Sequence, residues 1–596
     1  MSTVEMVRAA HPHRRAVWLT VIGLAFVLGG SVAWLGWSAM EARDALFAAR
    51  AEVGQLQEQA RLGRIDEART TLEDVQRHAS LARERTSGPL WAVAGALPWA
   101  GPNVQAVRAV AGAVDELATH ALPPLVEATA LVDPAALQPV GGRIDVQPLA
   151  DVAPQIAGAD TAITASLQRI EDVDTTGLID AVADPVTQLR GQLADVAADT
   201  ATASRAAALL PAMLGVDGPR TYLVLVQNNA EPRATGGIAG AVLLLRATDG
   251  HLEVLEQRRG GELAGLPEPV VALSDAEKDL FGPLLGTDMR DVNFTPDFPR
   301  SGRIAKGVWE SQVGGVIDGV LSVDPGALAL VLDATGPVPL PDGSQLTGDN
   351  VVPMLLNQVY LELEDPAEQD AFFALTAAAV FGAVAGGQGD ATGVVDALAE
   401  AARRGRLMVW SADEDEQARL SGTVLSGELQ GRRGNEAVVG LYLNDGTQAK
   451  LGYYLQADAS VEVTECLPDG SQRVRVEATF IYEPPADVLD LPPYLLGLDG
   501  IVPLGEFRTN VLLYVPANGK LDAVRVNTEA ASLHAQVHDG LSVGALTWDF
   551  TPGATYRLEA DITTGPGQDG AVLLRTSPLA AGFDHVAAVS KCEGAR

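Results

Sequence analysis

The chain has 596 residues, 47% of them hydrophobic, which is too long for one domain and rich enough for several cores. Its formal net charge is −35. A surface that acidic is repelled by phosphate backbones and by anionic lipid headgroups, so nucleic acid is excluded as a partner, as is an electrostatic grip on lipid.

The first element is the apolar run AVWLTVIGLAFVLGGSVAWLGWSAM, residues 16–40, which carries no charge over 25 positions. About 20 such residues cross a bilayer as a helix. Arg8, Arg14 and Arg15 precede it and Glu41, Arg43 and Asp44 follow, so residues 1–15 are expected in the cytoplasm. Trp18 at one end and Trp34 and Trp37 at the other suit the two interfaces. A cleaved signal peptide is the competing reading, but the apolar core exceeds the roughly 7–15 residues of a signal segment. Either way everything from residue 41 onward is expected outside the membrane. A second uncharged stretch, residues 86–107, is broken by Pro89, Pro98 and Pro102. It reads as a buried helix–turn–helix corner and not as a second span.

Residues 41–215 are expected to form a helical stalk or bundle. Leu62, Ile65, Ala68, Leu72, Val75, Ala79 and Ala82 recur at intervals of three and four, one stripe of an amphipathic helix. The period returns in TAITASLQRIEDV and VTQLRGQLADVAADTATASRAAALL, around a loop-rich joint near residues 130–154. Such a stalk offers faces for oligomerisation. From residue 216 short β-rich runs (TYLVLVQ, IAGAVLLLRA, HLEVLEQR, VIDGVLSVD) alternate with helical ones (RIAKGVWESQVG, PGALALVLDATG, TGDNVVPMLLNQVYLEL, DPAEQDAFFALTAAAVFGAVAGG), which predicts an α/β layer domain over residues 216–410. Residues 411–429, opening with SADEDEQ, read as an acidic linker. AVVGLYLN, LGYYLQADASVEVTEC, QRVRVEATFIYEP, RTNVLLYVP and TYRLEADITT alternate in and out, so residues 430–596 are expected to be an antiparallel β-sandwich. The whole is a multi-domain α+β chain. Cys466 and Cys592 are an even pair outside the cytoplasm and are expected to form a disulfide, against the alternative of two unrelated thiols.

The segments RTYLVLVQNNAEPRATGGIAG, RDVNFTPDFPRSGRIAKGVWE, VIDGVLSVDPGALALVLDATGPVPLPDG and LTGDNVVPMLLNQVY closely resemble an actinobacterial family described as domain of unknown function 4012. The likeness covers nearly all of residues 200–590. The order of these segments is also similar to the LytR–CpsA–Psr family of membrane-anchored phosphotransferases, which move glycopolymers from a polyprenyl-pyrophosphate carrier. That second resemblance implies a site for envelope glycan or carrier-linked glycopolymer. This chain departs from its pattern: EPRATGGI replaces an Arg-Ser-Asp-Thr segment, with Arg233 and Thr235 its only echoes, and the acidic run YLELEDPAEQDAFF stands where phosphate-gripping arginines belong.

The candidate site residues follow. Asn228, Asn229, Glu231 and Arg233 lie at a strand-to-loop exit, and Gly236 and Gly237 permit an anion-binding nest of backbone amides. Arg290, Asp291, Asn293 and Asp297 offer a second constellation, with a carboxylate suited to a divalent cation such as Mg²⁺ and an Arg suited to phosphate. A turn held by its own hydrogen bonds is the alternative for the first group, and a rigid proline-bearing surface loop for the second. Asn357, Tyr360 and Gln369 face the same region only if the distant resemblance holds; otherwise they are polar groups at a helix edge. No residue set has zinc-ligand spacing and no cofactor motif is present. The expectation is an anchored envelope protein that binds glycan or carrier-linked glycopolymer, with a non-catalytic interaction module or a divergent phosphotransferase as alternatives. A pocket shared by Arg233, Arg290 and Asp297, beside an apolar groove, would favour binding or transfer, whereas side chains pointing to separate faces would favour the interaction module.

Overall fold

A computed structural model describes residues 12–131, 138–340, 343–497 and 500–586. Two compact units emerge, one of residues up to 133 together with 147–210, the other of residues 134–146 and 211 onward.

The first unit is built from long helices. One runs unbroken from Pro12 to Arg61 and so contains the apolar run; side chains are described from residue 29 onward. Gly63, at φ +68°, ends it, because only a residue without Cβ adopts that backbone cheaply. The chain then turns back into the helix Ile65–Arg85, which buries Ala68, Leu72, Val75, Ala79 and Ala82 as the stripe predicts. Leu62 drops out of the stripe: it sits in the turn and is exposed. Helices Pro89–Gly95, Gly101–Glu116, Leu122–Leu131 and Gln147–Glu171 complete the bundle, with Asp180–Met213 leading out of it.

Residues 138–146 do not belong to the stalk. Gln138 donates to the carbonyls of Gly387 and Gly389, and Arg143 pairs with Asp249 at 2.6 Å and bridges to His251. These contacts tie the expected joint to the second unit. The expected stalk boundary at 215 is therefore corrected to a helical unit interrupted by this segment and ending at 210.

The second unit begins with a five-stranded sheet. Its strands are β1 (Arg220–Arg233), β2 (Gly236–Thr248), β3 (His251–Arg259), β4 (Gly319–Val323) and β5 (Leu407–Ser411), in spatial order β3-β2-β1-β4-β5. β1 and β4 are parallel and the other pairs antiparallel. The helix Phe298–Gln312 packs Ile304, Val308 and Trp309 against this sheet's apolar face. Pro325–Thr335 is capped by Asp324 with proline at its first turn, the order expected from the sequence. Helical residues 351–362 and the helix Pro366–Ala385 lie over the opposite side and share a small core with Leu332, Val338 and Leu346.

Behind the sheet stand two more sheets, face to face, one of six strands and one of five with a short added pair. Their inner faces interdigitate Val439, Leu441, Val476, Phe480, Phe507, Phe550 and Ile562 into the largest core. The sandwich is not wholly antiparallel: Val572–Thr576 pairs in parallel with Glu436–Asp445, and Phe583–Val586 with Leu455–Cys466. The outer face of the five-stranded sheet supplies Tyr442, Leu512, Tyr514 and Val543 to the same core as Leu225, Phe298 and Trp309. That shared core replaces the expectation of two domains joined by a linker. Residues 411–429 instead hold the helix Glu414–Leu420, capped by Asp413, whose buried Glu416 accepts from Ser411 Oγ at 2.6 Å and from Arg220 at 2.5 Å. The acidic look of SADEDEQ thus conceals a cap and a buried ion pair. Cys592 lies outside the described residues.

Candidate functional site

The stretch QNNAEPR is not a loop exit but a strand with a large bulge. Asn228 pairs with Ile238 and Pro232 with Gly237, leaving Asn229, Ala230 and Glu231 without β2 partners. A second irregularity leaves Gly240 of β2 unpaired, between Gln227–Ala239 and Val226–Ala241. Bulges re-aim side chains, and this pair does so in opposite directions. Asn229 turns into the protein, donating to Asp324 Oδ2 (2.9 Å) and to the Pro578 carbonyl (2.7 Å). Asp324 also takes Arg406 at 2.6 Å and caps its helix through the Ala327 amide. Glu231 turns the other way and pairs with Lys450, both nearly fully buried. Burial opposes the lysine's charge, yet Glu231, helped by the rings of Tyr360 and Tyr494 at 5.1 and 4.8 Å, holds Lys450 above its ordinary pKa.

Arg233 is 2% exposed. Its Nε and Nη2 donate to Asp291 Oδ1 at 3.2 and 3.0 Å, Nη1 donates to the Pro232 carbonyl, and the guanidinium lies 4.7 Å over the Phe294 ring. Asp445 from the sandwich stands 4.0 Å away, its carboxyl raised to about 6 chiefly by burial. Arg233 is thus an internal counter-charge at the junction of hairpin, loop and sandwich. Gly236 and Gly237 close the hairpin. A Cβ on Gly236 would meet Gln227 Oε1 at 1.9 Å, and one on Gly237 the Asn228 carbonyl at 2.1 Å. The space where a nest would receive an anion is filled by the partner strand.

The second constellation is also drawn inward. Asn293 donates to the Gly237 carbonyl at 2.8 Å. Asp297 caps the helix Phe298–Gln312, accepting from the Arg300 and Leu429 amides, and burial raises it to about 6. Arg290 is half-buried and folds back onto Asp288, with Nη2 to Oδ2 at 2.6 Å. Arg233, Arg290 and Asp297 therefore share no pocket.

What the bulge does build is a cavity of about 600 Å³ between the β1–β2 face and residues 351–385. Of the expected site residues, Asn228, Glu231 and Arg290 line it; Asn229, Arg233, Gly236, Gly237, Asn293 and Asp297 do not. Its walls are apolar where Ile238, Leu243, Leu328, Leu355 and Phe373 stand, and polar where Gln227, Gln448, Lys450 and Glu231 stand. Asn228 donates to Tyr360 Oη at 2.7 Å, and burial pushes that phenol up to about 12. Gln369 and Tyr360 do reach the cavity, whereas Asn357 instead accepts from Tyr454 Oη. Two polar atoms on its walls, Gln227 Nε2 and Thr376 Oγ1, have no hydrogen-bond partner although each residue is 3% exposed. Such a volume, apolar with a few convergent polar groups, is the usual form of a small-molecule site. Among the described residues, no group of three or more His, Cys, Asp or Glu is placed to hold a metal ion.

The cavity residues missed in the sequence are Gln227, Thr376, Gln448, Lys450 and Tyr494. Lys450 left a signal, a lone cation in the otherwise apolar AKLGYYL. Nothing in the sequence ties it to Glu231, 219 positions earlier.

Helix Pro366–Ala385, which covers the cavity, contains a stretch, residues 367–385, that is long and apolar enough to cross a membrane by length and composition, the one such stretch among the residues whose side chains are described. Beyond Glu368 and Asp370 it carries no charge, and this has a local cause: Phe372, Val380 and Ala383 face a core while Phe373, Thr376 and Ala377 face the cavity.

No curated protein and no solved structure matches the chain. A family model described as protein of unknown function (DUF4012) matches residues 217–360, and none of these comparisons carries the likeness to the LytR–CpsA–Psr enzymes. The match spans β1 with its bulge, the two buried constellations and the first residues of the helix Val359–Glu362, so over this quarter of its length the chain is similar to the DUF4012 family.

Proposed function

We propose that the chain is a single-pass, membrane-anchored envelope protein, with residues 16–40 as its span and the bulk outside, that binds a lipid-linked glycan without turning it over. The observation that carries the binding reading is the cavity: apolar walls for a hydrocarbon chain, interrupted by polar residues such as Asn228, Gln369, Gln448 and Thr376. Tyr494, half exposed at the cavity, offers a ring face of the kind on which a sugar stacks. The charges around it are already matched, Glu231 by Lys450 and Arg290 by Asp288, so they fix the shape of the site and supply no grip for a pyrophosphate in reaction.

The test is a titration of the full chain, in detergent, with a fluorescent polyprenyl-pyrophosphate oligosaccharide and, in parallel, with the free oligosaccharide. Saturable binding of the linked form, and weaker binding of the free one, is expected. Binding of neither would leave the second reading, a non-catalytic interaction module. That reading has its own support: Asn229, Arg233, Asn293 and Asp297 each hydrogen-bond within the fold, although Asn229 Oδ1 and Asn293 Oδ1 are buried without partners.

A further inference from the structure

The uncharged stretch between Arg85 and Arg108 is expected to be a buried corner, and it is buried only in part: Trp91, Ala94 and Ala106 are buried, but other large side chains are not. Trp99 is 80% exposed, Val93 65%, and Leu90 and Leu97 are exposed as well. Four large apolar side chains in water within ten positions is an unusual arrangement for a soluble bundle.

Their place in the bundle gives the reason. Helix Ile65–Arg85 runs antiparallel to the long first helix, in a register that the side chains fix. Leu56 packs with Ala68 and Leu72, Ala45 with Ala82, and Glu41 pairs with Arg85 at 2.7 Å. One step further, Trp91 Nε1 donates to Ser38 Oγ at 3.1 Å. The chain thus climbs past Glu41, the first charged residue after the apolar run, and its apex lies alongside the run itself. Helix Gly101–Glu116 then descends, returning Ala111 to Ala45 and Ala82.

Several backbone groups of the apex are satisfied internally. The Ala96 and Leu97 amides donate to the carbonyls of Val93 and Ala94, and Gly101 to that of Leu97. Gln105 Nε2 donates to the Gly95 carbonyl at 2.7 Å, satisfying an end group that the helix Pro89–Gly95 would otherwise leave bare. Gly101 allows the tight return, since a Cβ there would meet the Gly95 carbonyl at 2.6 Å. Internal satisfaction of backbone groups is what a hydrocarbon environment demands. The Arg85 guanidinium, 4.9 Å over the Trp37 ring, marks the charged rim below.

We propose that residues 88–101 form a membrane-inserted hairpin, whose Leu90, Val93, Leu97 and Trp99 enter the outer leaflet beside the anchor. Seven residues of helix rise about 10 Å, well short of the roughly 30 Å hydrocarbon core, so the hairpin dips in and does not span. The insertion is apolar and needs no anionic lipid, in keeping with the acidic chain. This inference rests on residues 16–40 being the span.

The experiment places p-benzoylphenylalanine at Trp99, at Phe26 within the apolar run, and at Arg69, on the exposed side of its helix, in three versions of the full chain in zwitterionic nanodiscs. After irradiation, lipid adducts are read by mass spectrometry. Adducts at positions 99 and 26 and none at 69 are expected. An adduct at 26 without one at 99 overturns the hairpin and leaves the anchor standing; adducts at neither overturn both. A Val93→Asp/Trp99→Asp variant changes only exposed side chains and so retains the fold. It is expected to reduce adducts from p-benzoylphenylalanine placed at Leu97 at least severalfold, and an unchanged yield would contradict insertion.

Discussion

Replacing Arg233 with methionine distinguishes a ligand-binding arginine from an internal one. The side chain is 2% exposed and is the charge partner of Asp291 at 3.0 Å and of Asp445 at 4.0 Å. Arg233→Met keeps much of the volume over Phe294 but leaves both carboxylates without compensation. Breaking a buried ion pair in this way costs about 3–5 kcal/mol. Burial raises Asp291 above the usual carboxylate range even with Arg233 present, so removing the cation pushes it higher and shifts part of the cost into proton uptake. The assay is urea denaturation of the wild type, Arg233→Met, Asp291→Asn and the double variant at neutral pH. The double variant is expected to lose less than the sum of the singles, by roughly 1–3 kcal/mol, because the second change removes the charge that the first left stranded. A single variant within about 0.5 kcal/mol of wild type, the range of an ordinary surface change, would refute the reasoning and return Arg233 to the list of ligand contacts.

Three further outcomes are expected. Glu231→Gln strands Lys450 beneath the cavity and is expected to cost about 3–5 kcal/mol in the same denaturation assay, much of it recovered in Glu231→Gln/Lys450→Met; no recovery would mean the pair is not coupled. Gly237→Ala forces a Cβ to within 2.1 Å of the Asn228 carbonyl and is expected to lose roughly 1–3 kcal/mol or more, read as a lowered urea midpoint. Asp297 has a folded pKa raised from 3.8 to about 6, so the native state holds its proton more tightly than the unfolded chain. Its contribution therefore falls as pH rises through that window, by up to about 3 kcal/mol, and Asp297→Asn is expected to remove this slope while losing the acceptor for one of the Arg300 and Leu429 amides.

Local structure was well marked in the sequence. Pro325 behind Asp324, Pro366 behind Asp365, and the Asp249–Gly250 turn between β2 and β3 are caps and turns whose chemistry is local, and they fall where the sequence puts them. The polar residues of the expected site were read as solvent-facing, and most of them are buried. Arg233 meets Asp291 58 positions away and Asp445 still further on, so its burial depends on tertiary pairing that no spacing rule reports. The bulge had a visible mark, Gly-Gly opposite Asn-Asn, but the three extra residues in β1 become countable only when β2 lies against them. The linker expected at 411–429 failed for a similar reason: an acidic run and a capped helix with a buried Glu416 look the same until Arg220 is in place.

The account turns on where the ligand sits, and Gly240 tests that most directly. It is the unpaired residue of the β2 bulge, it lines the cavity, and a Cβ there meets nothing nearer than the Val226 carbonyl at 4.0 Å. Gly240→Leu therefore adds bulk at the cavity's lining from a position that tolerates a side chain. In a titration with polyprenyl-linked oligosaccharide, the variant is expected to keep the wild-type urea midpoint and to lose at least tenfold in affinity. Undiminished affinity in a folded Gly240→Leu protein would place the ligand elsewhere and contradict the account.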